Sequence, residues 1–395
     1  MPSTTKGRSI TRNDGRSATR TGVHGKLRSR AARAVSLVVP IAALNVALGG
    51  TAAMAADGHA MADSRQATAA VTGVTWHKLA MINGWKSSQN VYGTGNPSYA
   101  IRGGVVYLSG SLHGGTSSNF AILPKAARPA HWLYMTVYTS GGTFGTLLVK
   151  PDGEIAAYST PSADATSYTS LAAVSYPTAA TTQHKLALID GWTSGQHQYR
   201  TGAPSYAVKN GIVHLSGSLK GGTDGDFAVL PAGARPAHIT YRGVYTLGGA
   251  FLHIYIEPSG FIGGYHTGTA QAFTSLAGVS FPAATVTQHK VTMLNGWQSA
   301  QHPFGTGGFS YAIIGGVVHL SGAIKLPSGT NNLCALLPPA ARPAHVLYIT
   351  VFTSSDTAGT LRILPNGDVF ADSSPDASAS RTLTSLAAIS YPRNS

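Results

Sequence analysis

The chain of 395 residues repeats itself three times, and no other feature limits its possible folds so strongly. One copy runs from His77-Lys78-Leu79 to Ser175-Tyr176-Pro177. The next runs from His184-Lys185-Leu186 to Ser280-Phe281-Pro282, and the last from His289-Lys290-Val291 to Ser390-Tyr391-Pro392. Gly84-Trp85, Gly191-Trp192 and Gly296-Trp297 correspond, as do Leu-Ser-Gly triplets beginning at Leu108, Leu215 and Leu320. The strongest match is Arg-Pro-Ala-His, at 128–131, 235–238 and 342–345. From Trp to Leu is 23 residues in every copy, whereas from that Leu to the Leu-Pro proline is 16, 16 and 18. The extra length falls in Lys325-Leu326-Pro327-Ser328-Gly329, where Gly and Ser mark a loop on a fixed scaffold. The unit is too long for a solenoid turn, so each copy is expected to be a complete domain, over 76–177, 183–282 and 288–392.

Within a copy the apolar pattern has the period of a strand. In the run from Val105 to Leu112, Val106, Leu108 and Leu112 share one face and Tyr107, Ser109 and Ser111 the other. Val213/Leu215/Leu219 and Val318/Leu320/Ile324 repeat it. Leu147-Leu148-Val149 and Glu154-Ile155 flank Pro151-Asp152-Gly153 and read as a hairpin, with Pro258-Ser259-Gly260 and Pro365-Asn366-Gly367 as its equivalents. Six to eight short strands between Gly/Pro turns predict an all-β chain of three tandem antiparallel sandwich or jelly-roll domains. The joins near Thr178–Gln183 and Ala283–Gln288 are short and uncharged, which makes the domains close neighbours. The single cysteine, Cys334, allows no intrachain disulfide, so each core must hold its own domain.

Residues 1–33 carry nine Lys/Arg and one acid, hence eight of the fourteen net positive charges. The rest of the chain has no basic run that could track a phosphate backbone, which argues against a nucleic-acid partner. The basic start, the apolar Ala34 to Leu48 and the Ala53-Met54-Ala55 site read as a secretory signal over 1–55, followed by a linker over 56–75. An uncleaved membrane anchor is the competing reading, weakened by Pro40, Asn45 and Gly49-Gly50. No later segment is apolar enough to cross a membrane, and the mature chain is expected to be extracellular.

The order Gly-Trp, Ser-Tyr-Ala, Gly-x-Val-x-Leu-Ser-Gly, Leu-Pro-x-x-x-Arg-Pro-Ala, Pro-x-Gly and a terminal Ser-Leu-Ala-x-(Val/Ile)-Ser-(Tyr/Phe) resembles the C-terminal domain of bacteriophage tail-fibre and receptor-binding proteins. The resemblance covers nearly all of residues 77–392, once per copy. It implies a β-sandwich head that trimerises and binds cell-surface saccharide. The departures are the secretion signal and three heads in one chain, which would let one monomer imitate the homotrimer by intramolecular packing.

Trp85, Trp192 and Trp297 each end an apolar-alternating strand and are expected in the core or at a domain edge. Arg128, Arg235 and Arg342 are expected to satisfy loop carbonyls or a neighbouring domain. His131, His238 and His345 have no second ligand at metal-binding spacing, so no metal and no cofactor are expected. Cys334 aligns with Phe120 and Phe227 and reads as a small core residue. The loop after Gly-Trp carries Gln89, Asn90 and Tyr92, then Gln196, His197 and Tyr199, then Gln301, His302 and Phe304. Amides with an aromatic face suit a sugar, but an aromatic folding back on the sandwich fits the same residues. A second candidate is the loop with His113, Lys220 and Lys325. Tyr107, His214 and His319 share one outward strand position and could form a seam that loosens near pH 6.

The thirteen acids from Asp57 onward include none that recurs at one aligned position in all copies. A glycan-cleaving carboxylate pair is therefore not built into the repeat, although Asp224 with Asp226 could form a site in one copy only. No nucleophile elbow, zinc motif or nucleotide loop is present, so no catalytic residue is assigned. The expected role is non-catalytic, lectin-like or adhesin-like recognition of a glycan or cell-surface polymer. The alternative is a structural envelope or matrix protein that assembles through its sandwich faces.

Overall fold

A glycine at the end of one strand decides how each repeat is built. The computed structural model describes residues 74–160, 164–264, 268–373 and 377–395, so the leader over 1–55 lies outside it. The run from Val105 to Leu112, read above as one strand, is broken at Gly110 into Val105–Ser109 and Ser111–Gly114, which join different sheets. Gly110 has φ +86°, and a Cβ there would lie 2.3 Å from the Asn96 carbonyl oxygen. Gly217 and Gly322 repeat the geometry, at φ +84° and +89°. Only glycine meets both demands.

The first sheet of each repeat has four antiparallel strands. In order these are His77–Lys78, Ser98–Arg102, Val105–Ser109 and Ser175–Pro177 in the first repeat. The equivalents are His184–Lys185, Ser205–Lys209, Ile212–Ser216 and Ser280–Pro282, then His289–Lys290, Ser310–Ile314, Val317–Ser321 and Ile389–Pro392. The second layer is one eight-stranded sheet in the third repeat and one seven-stranded sheet in the second. In the first repeat it splits into four- and three-stranded sheets tied by a Thr139–Thr169 bridge. The hairpins expected around Pro-x-Gly form, Phe144–Val149 with Glu154–Tyr158 being the first of them.

Between the layers lies one core per repeat, with Trp85, Leu108, Phe120 and Ile155 in the first. The three tryptophans are buried, and each indole N–H donates to a loop carbonyl, of Ser117, Asp224 or Asn331, at 2.7 to 2.9 Å. Trp85 and Trp192 meet Phe120 and Phe227 edge-on, whereas Cys334 fills that phenylalanine position in the third repeat. Burial pushes its thiol pKa far up, which leaves it unreactive.

The repeats close on one another around a pseudo-threefold axis. Strands Leu133–Tyr138, Thr240–Thr246 and Leu347–Thr353, one from each repeat, touch pairwise. Aromatic rings stack across every seam. Tyr138 lies on Tyr348 and Tyr245 on Tyr134, both at 5.4 Å, and Phe352 on Tyr241 at 5.8 Å. Hydroxyls lock two of these seams, Ser275 donating to the Tyr134 carbonyl and Ser385 to the Tyr241 carbonyl. The face of Val105–Ser109 that alternation assigns to the outside is therefore covered by neighbours. Tyr107, His214 and His319 are 5%, 2% and 3% exposed and do form a seam. Burial lowers the pKa of His214 to about 4 and of His319 to about 3, with Lys209 adding to the first and His214 to the second. Protonation of these histidines within the closed seam is thus displaced to more acidic pH, because desolvation resists the charge.

Candidate functional site: clefts at the seams

The Arg-Pro-Ala-His segments divide their labour residue by residue. Arg128, Arg235 and Arg342 each donate from Nε to the carbonyl of Leu123, Leu230 or Leu337, at 3.0 to 3.1 Å. Each guanidinium also lies where a Cβ on Gly153, Gly260 or Gly367 would stand, at 2.7 Å, with φ near +98° at all three. The arginine thus fastens the Leu-Pro turn to the hairpin, and proline and alanine carry the chain outward.

The histidine that follows crosses to the next repeat. His131 packs on Gly202, His238 on Gly307 and His345 on Gly95, where an added Cβ would come within 2.6 to 2.8 Å of the ring. The next backbone N–H docks as well. Trp132 donates to the Arg200 carbonyl, Ile239 to Gly305 and Val346 to Gly93, at 3.1 to 3.2 Å. Each acceptor ends the segment read above as the loop after Gly-Trp. That segment is in fact a one-turn helix at Gln89–Tyr92 and Gln196–Tyr199, whereas at Gln301–Phe304 the turn is interrupted by the extended backbone of His302. Each is closed by a left-handed residue, at 93, 200 or 305. Two signatures read independently in the sequence meet here, from different repeats.

The helical turn presents its polar residues and folds its aromatic inward. Asn90, His197, Gln301 and His302 are exposed, with Gln89 and Gln196 half-buried. Gln89 donates to Asn90 at 3.4 Å, and Gln196 bonds the His197 ring at 3.1 Å. Tyr92 is 41% exposed, yet its ring lies 4.5 Å from Tyr168 and 6.4 Å from Tyr348 of the third repeat. Tyr199 sits 4.1 Å from Phe273, and Phe304 packs against the cluster of Phe352 and Leu383. His113, Lys220 and Lys325, expected on a loop, lie instead on the strands Ser111–Gly114, Ser218–Gly221 and Ala323–Lys325, which return to the same place. His113 bonds Ser88 at 2.9 Å, Lys220 donates to Gln198 and Lys325 to the His302 carbonyl.

Beside each histidine the seam forms a cleft. Between the first and second repeats it measures about 270 Å³, lined by His131, Gln183, Lys185, Ser205 and Ser216 among others. Between the third and first it measures about 280 Å³, lined by Trp76, Lys78, Asn96, Ser98 and His345. Between the second and third, lined by His238, Gln288, Ser310 and Ser321, only about 30 Å³ remains. The arrangement is the same three times, but two members are open. Neither open cleft is lined by an Asp or Glu side chain. Asp226, weighed above as half of a one-copy site, accepts a bond from the Tyr255 hydroxyl at 2.7 Å, and burial raises its carboxyl pKa.

Among the described residues no three His, Cys, Asp or Glu gather as metal ligands, and no helix is long and apolar enough to cross a membrane. Comparison with family models, with curated proteins and with solved structures finds no match to this chain.

The clefts are not legible in the sequence because each histidine meets wall residues about fifty or more positions away, from the join and the following repeat or, for His345, from the first repeat. One signal was available: Thr94-Gly95, Thr201-Gly202 and Thr306-Gly307 recur in every copy without a turn or hairpin of their own to explain the glycine.

Proposed function

We propose that this is a secreted, non-catalytic binding protein that recognises extracellular or cell-surface glycan through the seam clefts, as the likeness to phage receptor-binding heads implies. One observation carries the reading. Two related clefts of about 270 and 280 Å³ offer hydroxyls, an imidazole and an ammonium group on a rigid frame. Such a set donates to and accepts from sugar hydroxyls, and the space suits one or two sugar units. The cleft walls carry hydroxyl, amide, imidazole and ammonium groups, which suits binding a saccharide. The exposed Asn90 and His197 and the half-buried amides of Gln89 and Gln196 border the same seams and extend the surface a polymer would cross. Two sites on one rigid body raise avidity by about 10²-fold or more if one polymer reaches both.

A glycan array followed by calorimetry tests this. We expect saturable binding of a glycan that Lys185→Ala, at an exposed position of the cleft wall, weakens about tenfold or more without a change in melting temperature. Absence of binding to any glycan, together with concentration-dependent self-association, would overturn the reading in favour of an assembling envelope or matrix protein.

A further inference from the structure

We propose that the pseudo-threefold axis holds a small monovalent anion of chloride size, bound by the Arg242 guanidinium in the cavity where the three central strands meet. The position itself is the first sign. Residue 242 aligns with Met135 and Ile349, so the axis carries one cation where symmetry supplies apolar side chains.

The cavity is lined by Thr136 and Val137 of the first repeat, Arg242 and Gly243 of the second, and Ile349 and Thr350 of the third. Its volume of about 20 Å³ admits one water-sized species. A sugar or a phosphate does not fit that space, whereas a halide does. Arg242 makes a single long hydrogen bond, from one terminal N–H to the Thr350 carbonyl at 3.5 Å. Among the described residues no carboxylate stands within ion-pair distance of it. Burial lowers its pKa to about 10, and it remains charged at neutral pH.

A second observation points into the same cavity. The Thr350 hydroxyl is buried, its residue 7% exposed, and it has no hydrogen-bond partner. A guanidinium and a hydroxyl are both donors; the hydroxyl has no acceptor, and the guanidinium has only the long bond to the Thr350 carbonyl. A water molecule would supply lone pairs but would leave the half-buried charge uncompensated, which is the costly part. An anion satisfies donors and charge together. It would also tie the second repeat to the third, since Arg242 and Thr350 lie on opposite sides of that seam.

Bromide diffraction on the full chain tests the site. An anomalous peak is expected within hydrogen-bond reach of Arg242, and none in Arg242→Met, which installs the residue of the first repeat. In solution, exchanging gluconate for bromide at constant ionic strength should raise the wild-type melting temperature saturably by about 2–4 °C. That response should vanish in Arg242→Met. A map without a peak at Arg242, or an equal halide response in both proteins, overturns the proposal. Should the variant fail to fold, the wild-type map alone decides.

Discussion

Thr306 shows how a single side chain can be left stranded by drift between repeats. Its counterparts Thr94 and Thr201 bond the buried hydroxyls of Ser111 and Ser218, each within its own repeat. The third repeat has Ala323 at the serine position, and the Thr306 hydroxyl is buried with no partner. Restoring the serine should satisfy it. We expect Ala323→Ser to stabilise the protein by about 1 kcal/mol in chemical denaturation, and a neutral or destabilising result would show that the pocket cannot hold the hydroxyl. At this scale much was legible in the sequence. The tryptophans, the arginines and Cys334 stand where their residue types and alignment put them, because each is used inside its own repeat. His131, His238 and His345 were legible only as repeated residues. Their partners are glycines of another repeat, and no local pattern encodes such a contact.

Among elements, the strand broken at Gly110, Gly217 and Gly322 carries each repeat from one sheet to the other. In Gly217→Ala the new Cβ would meet the Ala203 carbonyl oxygen at 2.3 Å with φ at +84°, and both conflicts are with backbone. We expect a loss of about 3 kcal/mol or more, read by denaturant unfolding, against little or no loss for Gly233→Ala, where nothing lies within 4 Å and φ is not positive. The hairpins were legible because Pro-x-Gly between alternating runs has one common local solution. The one-turn helices at Gln89–Tyr92 and its equivalents were not. Four residues are too few to display a helical period, and tertiary docking of the turn's last carbonyls supplies what propensity does not.

The whole molecule is a single chain that performs the packing of a trimer, and its axis has a pH dependence that follows from burial. His214 and His319 stay neutral in the fold, with pKa values lowered to about 4 and about 3, whereas in the unfolded chain they titrate near 6.5. Below pH 6.5 the unfolded state therefore binds more protons, and stability falls as pH drops toward 4. We expect melting temperature to be flat from pH 8 to 6.5 and then to decline, each histidine contributing up to about 1.4 kcal/mol per pH unit. A His214→Gln, His319→Gln variant should lose most of that decline, and an unchanged profile would place the acid sensitivity elsewhere. Closure of the ring is tested most directly where its first and last repeats meet. Ser175 and Ser390 lie 215 positions apart in sequence, yet their hydroxyl oxygens stand 3.2 Å from each other. Replacing both with cysteine, with Cys334→Val to leave no other thiol, and oxidising dilute protein should give an intramolecular disulfide. The expected result is a monomer of unchanged mass that runs faster on a non-reducing gel and yields the linked peptide by mass spectrometry. Two free thiols, or disulfide-bonded dimers only, would contradict a closed ring of three repeats.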